Sequence, residues 1–249
     1  MKVLFRMIVF ACLSVGMTSA PSYADESSAV HSEKKIAAVS KAVKKLIQKK
    51  SIAGAVTMVS WKGEIIHLDA QGMRDIKDQA PLQTDTLFRI FSMTKPVTSV
   101  AVMILVERGD IRLDEPAETY LPELKGLKVH RKGKPKRKMT VRHLLTHTAG
   151  LTYGFFSNTP VDKMYNRNHP LYSASNTQMM EKLTQHPLLF QPGKKWHYSV
   201  STDVLGALVE RVSGESLGAF FEANIFRPLE MSDTSFYVSS DKIKRFSSS

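Results

Sequence analysis

Apolar positions along the chain fall into a few periodic runs, separated by Gly, Pro and charged clusters. The strongest run lies within Phe88–Arg108. There Val97, Val100, Ala101, Ile104 and Leu105 recur at i, i+3, i+4, i+7 and i+8, the spacing of one helix face. Val102, Met103 and Val106 fill the other side, so this helix is expected to be apolar nearly all round and buried. Pro96 suits a first helical turn, where a missing N–H costs nothing, and Gly109 suits the stop. Ile36, Ala37, Val39, Val43, Leu46 and Ile47 mark an amphipathic helix with a solvated lysine face. Val204, Leu205, Leu208, Val209 and Val212 mark another over Thr202–Val212, closed by Gly214. A shorter helix is expected over Gln178–Gln185, and one capped by Thr140. Ala53–Trp61 and Glu64–Gln71 flank Lys62-Gly63 as a β-hairpin. Asp114-Glu115-Pro116 reads as a helix start, Tyr120-Leu121-Pro122 as a stop, and Tyr153–Pro170 as a loop. The pattern as a whole is α/β: an antiparallel sheet packed with helices, plus a mainly helical region.

Composition is that of a globular chain, with 249 residues, 43% hydrophobic and 23% charged. Residues 1–24 have the form of a secretory signal. Lys2 and Arg6 supply the charge, Met7–Val15 a short apolar run, and Ser22-Tyr23-Ala24 a cleavage site. The expected mature domain is therefore 25–249, exported to a periplasmic or extracellular compartment, with no transmembrane segment. The lone cysteine, Cys12, falls inside the signal; the bulky Phe10 beside it argues against a lipid anchor. The formal net charge is +12, and Arg131-Lys132-Gly133-Lys134-Pro135-Lys136-Arg137-Lys138 alone contributes six cations. That stretch has no interleaved aromatics, which argues against a nucleic-acid face, and it reads as a solvated hairpin or insertion loop rather than a patch for an anionic partner.

The candidate chemistry sits where the apolar helix begins. Ser92-Met93-Thr94-Lys95 places an amine one turn from a hydroxyl, within reach of its oxygen. A serine is a poor nucleophile until a neighbouring base takes its proton. A solvated lysine, with a pKa of ~10.4, is neutral in only about one molecule in a few thousand at pH 7, so burial is expected to lower its pKa. Two other tetrads, Ser32…Lys35 and Ser239…Lys242, lie in polar surroundings; only the middle one opens a buried helix. Gly214-Glu215-Ser216-Leu217-Gly218 matches a nucleophile elbow, but a helix precedes it where an elbow needs a strand, so Ser216 reads as a turn residue. His143 and His147 have the i, i+4 spacing of a zinc pair, yet no Glu follows His143 and no third ligand stands at a recognisable distance. No metal or cofactor is implied.

These stretches together carry a resemblance. Phe88–Glu107, Leu113–Leu124, Thr140–Leu151, Phe190–Val212 and Gly214–Phe236 resemble, in order, the serine β-lactamase and penicillin-binding superfamily, and most of all class C β-lactamases and family VIII carboxylesterases. The resemblance implies a β-lactamase/transpeptidase-like fold. It also implies acyl transfer through a Ser92 ester, with Lys95 as partner base and Tyr198 as proton shuttle. The implied substrate is a small ester, or a β-lactam or peptide-like molecule. Tyr198-Ser199-Val200 departs from the family's Tyr-x-Asn, because valine offers no hydrogen bond to a substrate amide, and this favours simple esters. The family's Lys-Thr-Gly-like third motif is not found through Ser249, so the resemblance implies a C-terminally incomplete copy of the fold. A β-lactamase, a D-Ala-D-Ala peptidase and a non-catalytic cell-wall ligand-binding relative are the alternatives.

Overall fold

The computed structural model describes residues 26–248, with side chains from Lys34 onward; the expected signal segment lies outside them. The described chain forms two compact units, residues 26–86 with 245–248, and residues 87–244.

In the first unit, helix α1 (Glu26–Gln48) is followed by strands β1 (Gly54–Trp61), β2 (Glu64–Asp75) and β3 (Ala80–Pro81), an antiparallel sheet in the order β1-β2-β3. Gly63, at φ +89, supplies the left-handed residue the hairpin turn needs. The register runs from Trp61 opposite Glu64 to Gly54 opposite Gly72, with one irregularity between Val59 and Ser60. β2 continues four residues beyond the expected Gln71. α1 meets the sheet through an inner stripe where Val43 is buried and Ser40 half-buried; Val39 and Leu46 lie outside it and stay exposed. Ser40 Oγ donates to Asp69 Oδ2 at 2.7 Å, and Gln71 Nε2 donates to the same oxygen at 2.7 Å and to the Ser40 carbonyl at 3.1 Å. These bonds hold the Asp69 carboxyl below its usual range, Ser40 contributing most.

The second unit holds the main core. Helix α2 (Thr94–Glu107) packs against α6 (Ser201–Ser213), with α3 (Val141–Leu145), α5 (Asn176–Thr184) and α7 (Leu217–Phe221) around them, and α4 (Pro160–Arg167) adds Val161 and Tyr165 to the same core. α2 ends in a Schellman motif: Gly109, at φ +84, donates to the Val106 carbonyl and Asp110 donates to that of Leu105. α2 is not buried all round. It buries Thr98, Ala101, Val102 and Leu105, the face toward its helical neighbours, while Val100 and Met103 are each 44% exposed. Helix α4 occupies part of the stretch expected as a loop. Its few apolar residues hide the period, but Thr159, Pro160 and Asp162 form a complete capping box with proline in the first turn. In the opposite direction, Asp114-Glu115-Pro116 begins only a 3-10 turn, Ala117–Thr119, because the Leu121-Pro122 stop follows too soon for a longer helix. No described helix is long and apolar enough to cross a membrane.

Candidate active site

Ser92 sits in a 3-10 turn, Phe91–Met93, that leads directly into α2. Phe91 takes a left-handed φ of +42, an uncommon conformation for a bulky residue, and the Ser92 side chain is exposed. One turn on, Lys95 Nζ donates to Ser92 Oγ at 3.2 Å. Tyr198 arrives from the segment that runs into α6, and its hydroxyl donates to the same Ser92 oxygen at 2.8 Å. The fold therefore brings together all three residues singled out from the sequence, across a separation of 106 positions.

Three further side chains complete the surroundings. Lys95 Nζ lies 4.9 Å from the centre of the Tyr198 ring and 5.5 Å from that of Tyr153. The Tyr153 hydroxyl faces Asp203 Oδ2 at 3.5 Å, a weak contact. His147 packs on Tyr198 with ring centres 4.8 Å apart, its Nδ1 accepting from the Ser199 N–H at 3.3 Å. No spacing rule reaches Tyr153 or His147, since the fold alone carries them to Lys95. Asp203 offered a faint signal as the one acidic residue in the first turn of the apolar α6, but such a residue usually answers the helix dipole.

Electrostatics reverse one sequence expectation. Burial does act to lower the Lys95 pKa, but hydrogen bonds and charge from Tyr198 and Tyr153 outweigh it, so the amine is held above the ordinary lysine value and stays a cation. Tyr198 shows the complement. Burial raises its pKa, yet the bonds from Lys95 and to Ser92 prevail and the phenol is more acidic than usual. Tyr153 moves the other way, raised mainly by burial. Burial also raises Asp203, against the opposing charge of Lys95. His147 is lowered by burial and then by the neighbouring Lys95 charge, so it is neutral at pH 7. The group suited to taking a proton is thus Tyr198, with Lys95 stabilising its anion.

Val200, the apolar residue two beyond Tyr198, is buried. Its side chain is 0% exposed and belongs to the core, at the position that caps α6, so it does not face Ser92. Ser216 is a helix cap joining α6 to α7, accepting from the Ala219 N–H at 3.3 Å. His143 closes the capping box of α3, its Nδ1 accepting from the Thr140 N–H at 3.1 Å.

Beside Ser92, a concavity of about 600 Å³ runs between α2, α6 and the chain before α5. Thr94, Lys95, Asp203 and Phe91 line its near end and Gly206 and Phe236 its far part, while Ser92 and Tyr198 do not line it. Lys95, in its wall, is the residue that also bonds to the Ser92 hydroxyl.

The sequence pattern of the Beta-lactamase family matches residues 39–249, and the chain belongs to that family, within the serine β-lactamase and penicillin-binding superfamily. Its fold is the β-lactamase/transpeptidase-like one. Among similar proteins, Protein Rv1367c of Mycobacterium tuberculosis is 38% identical over 202 residues, covering 78% of this chain and 50% of its own. Esterase EstB of Burkholderia gladioli is 37% identical over 195 residues, covering 76% and 48%. The solved structure of EstCE1, described as a hydrolase with promiscuous acyltransferase activity, is 29% identical with a TM-score of 0.78, covering 87% of this chain and 56% of its own. The chain spans about half the length of the curated relatives it matches. The family is one of hydrolases and acyltransferases.

Proposed function

We propose that the protein is a serine esterase that works by acyl transfer through a covalent Ser92 ester. The observation that carries this reading is the convergence of Tyr198 and Lys95 on one serine oxygen, at 2.8 and 3.2 Å. Tyr198, as the phenolate paired with the Lys95 ammonium, takes the Ser92 proton while Oγ bonds to the ester carbonyl carbon. The carbon–oxygen bond to the alcohol then breaks, and the Tyr198 proton passes to the departing alkoxide. Water gives its proton to Tyr198 and attacks the acyl-serine, which releases the acid and returns the proton to Ser92.

Esters are favoured over β-lactams and peptides because the residue two beyond Tyr198 supplies no amide partner: Val200 is apolar and turned into the core. EstB, by its name an esterase, supports the same choice. EstCE1, a hydrolase with acyltransferase activity by its title, supports transfer to an alcohol acceptor as a second outcome of the same acyl-serine.

The test is labelling with a fluorophosphonate followed by peptide mass spectrometry. The adduct is expected on the Ser92 peptide. Ser92→Ala should lose it and lower nitrophenyl ester hydrolysis by on the order of 10³-fold or more, since the covalent route is lost. An adduct on Ser216 instead, or undiminished turnover in Ser92→Ala, would overturn the assignment.

A further inference from the structure

The stretch 131–138 is solvated, as expected, but its backbone is held in place. Val129 and Lys132 close a turn, with Val129 N–H on the Gly133 carbonyl at 2.8 Å and Lys132 N–H on that of Val129 at 2.9 Å. His130 N–H reaches the Leu188 carbonyl at 2.9 Å, and Lys136 N–H reaches Gln191 Oε1 at 2.8 Å. The backbone is thereby fixed against residues 188–194. Lys132, Lys136, Arg137 and Lys194, all exposed, then surround one concavity of about 530 Å³ floored by Pro192. Among the described residues none of the four has an acidic partner, whereas Lys138 is paired with Glu118 at 2.8 Å. Holding four like charges around one hollow is unfavourable until an anion arrives.

The same segment continues into aromatic surface. Lys195 lies over the Phe190 ring at 5.0 Å, and the next residue, Trp196, is 65% exposed and stacks on Tyr198 with centres 6.3 Å apart. Beyond Tyr198 the rings continue through Phe156 at 5.7 Å to Phe155, which sits 4.6 Å from Phe156. These two are 55% and 63% exposed. A fixed basic cradle thus passes, within two residues of one extended segment, into an exposed aromatic rim around the candidate nucleophile. Cations beside exposed Trp and Phe match a phospholipid surface, where headgroup phosphates take the charges and the amphipathic rings settle at the interface. A single strand of nucleic acid would need separate ring faces for successive bases, whereas Tyr153, Phe155, Phe156 and Tyr198 are packed on one another.

We propose that the cradle Lys132, Lys136, Arg137 and Lys194 and the rim Trp196, Phe155 and Phe156 form one docking face for an anionic phospholipid surface, presenting Ser92 to esters held in that layer. The choice of substrate rests on the esterase reading; the docking itself does not. The test is co-sedimentation of the protein and its Ser92→Ala variant with vesicles of phosphatidylcholine alone and of phosphatidylcholine mixed with phosphatidylglycerol. Both proteins should bind the mixed vesicles and leave the neutral ones, and moderate salt should weaken binding. Each cation near such a surface is worth about fivefold in affinity, so Lys132→Gln, Lys136→Gln, Arg137→Gln and Lys194→Gln together should cost about a hundredfold or more. Lysine-to-arginine replacements at 132, 136 and 194 should retain binding and show that charge, not folding, is read. Phe155→Ala should weaken the part of the binding that survives salt. Equal binding to both vesicle types, or a single-stranded oligonucleotide held more tightly than the anionic vesicles, overturns the proposal. Vesicle binding without ester hydrolysis would retire the esterase reading and leave this one standing; hydrolysis of soluble esters without vesicle preference would do the reverse.

Discussion

At the scale of single residues, Ser92 accepts two hydrogen bonds from groups whose proton affinities are pushed apart. Lys95 is raised above the ordinary 10.5 and Tyr198 is lowered from the ordinary 10.0. Because Tyr198 is an acid with a lowered pKa, its basic form grows as pH rises and reaches its plateau earlier than in a free tyrosine. Hydrolysis followed as kcat/KM against pH should therefore climb along one limb with its midpoint below 10. Lys95→Ala should move that midpoint upward, since the cation that stabilises the phenolate is gone. Tyr198→Phe should abolish the limb and lower the rate by about 10² to 10⁴-fold. A limb that persists unchanged in Tyr198→Phe would assign the base to another group. His147, neutral and packed on the same ring, keeps a further positive charge away from this pair at neutral pH.

At the scale of elements, the loop that carries Tyr153, Phe155 and Phe156 is tied down by one carboxylate. Asp162, in the first turn of α4, is fully buried. It accepts from Thr152 Oγ1 at 2.7 Å, Thr159 Oγ1 at 2.6 Å, the Thr159 N–H at 2.9 Å and Ser157 Oγ. Burial raises its pKa, but the bonds from Ser157, Thr159 and Thr152 outweigh that and the net shift is downward. With the folded pKa below that of the unfolded chain, this group contributes stability above about pH 3.9, and that contribution is lost as pH falls through the lower folded value. Asp162→Ala leaves four donors unanswered, so a loss of about 3 kcal/mol in urea unfolding is expected at pH 7, shrinking toward acid. A loss independent of pH would show that packing, not charge, is at work. The same helix marks what the sequence could and could not give. Thr159-Pro160 and Asp162 were a readable start signal, hidden by weak hydrophobic period. The hairpin was legible from its Lys62-Gly63 turn, and α2 and α6 because each buries a regular stripe. So was the Ser92 to Lys95 spacing, being local, whereas the approach of Tyr153 and His147 is set by the tertiary fold and left no mark in the sequence pattern, and Asp203 left only its faint one.

At the scale of the whole molecule, burial is unevenly shared. Every member of the main hydrophobic cluster lies between Ala101 and Phe226, while residues 26–86 bury only Val43 and Leu82 among their described apolar side chains. Native-state hydrogen exchange of this chain should therefore show β1 and β2 amides opening at lower free energy than those of α6. Equal protection in the two would contradict the burial pattern. Within the helical unit, Ser92 and Lys95 ride on the leading end of α2 and Tyr198 on the leading end of α6, two helices packed along their lengths. That mounting makes the unit a pair of levers. A helix of 14 residues is about 21 Å long, so a tilt of about three degrees at its far end swings the near end by about 1 Å. Misplacement of that size can cost about a hundredfold in rate. The tolerances of the site are thus set by Leu105 and its neighbours in the core as much as by Ser92, Lys95 and Tyr198 themselves.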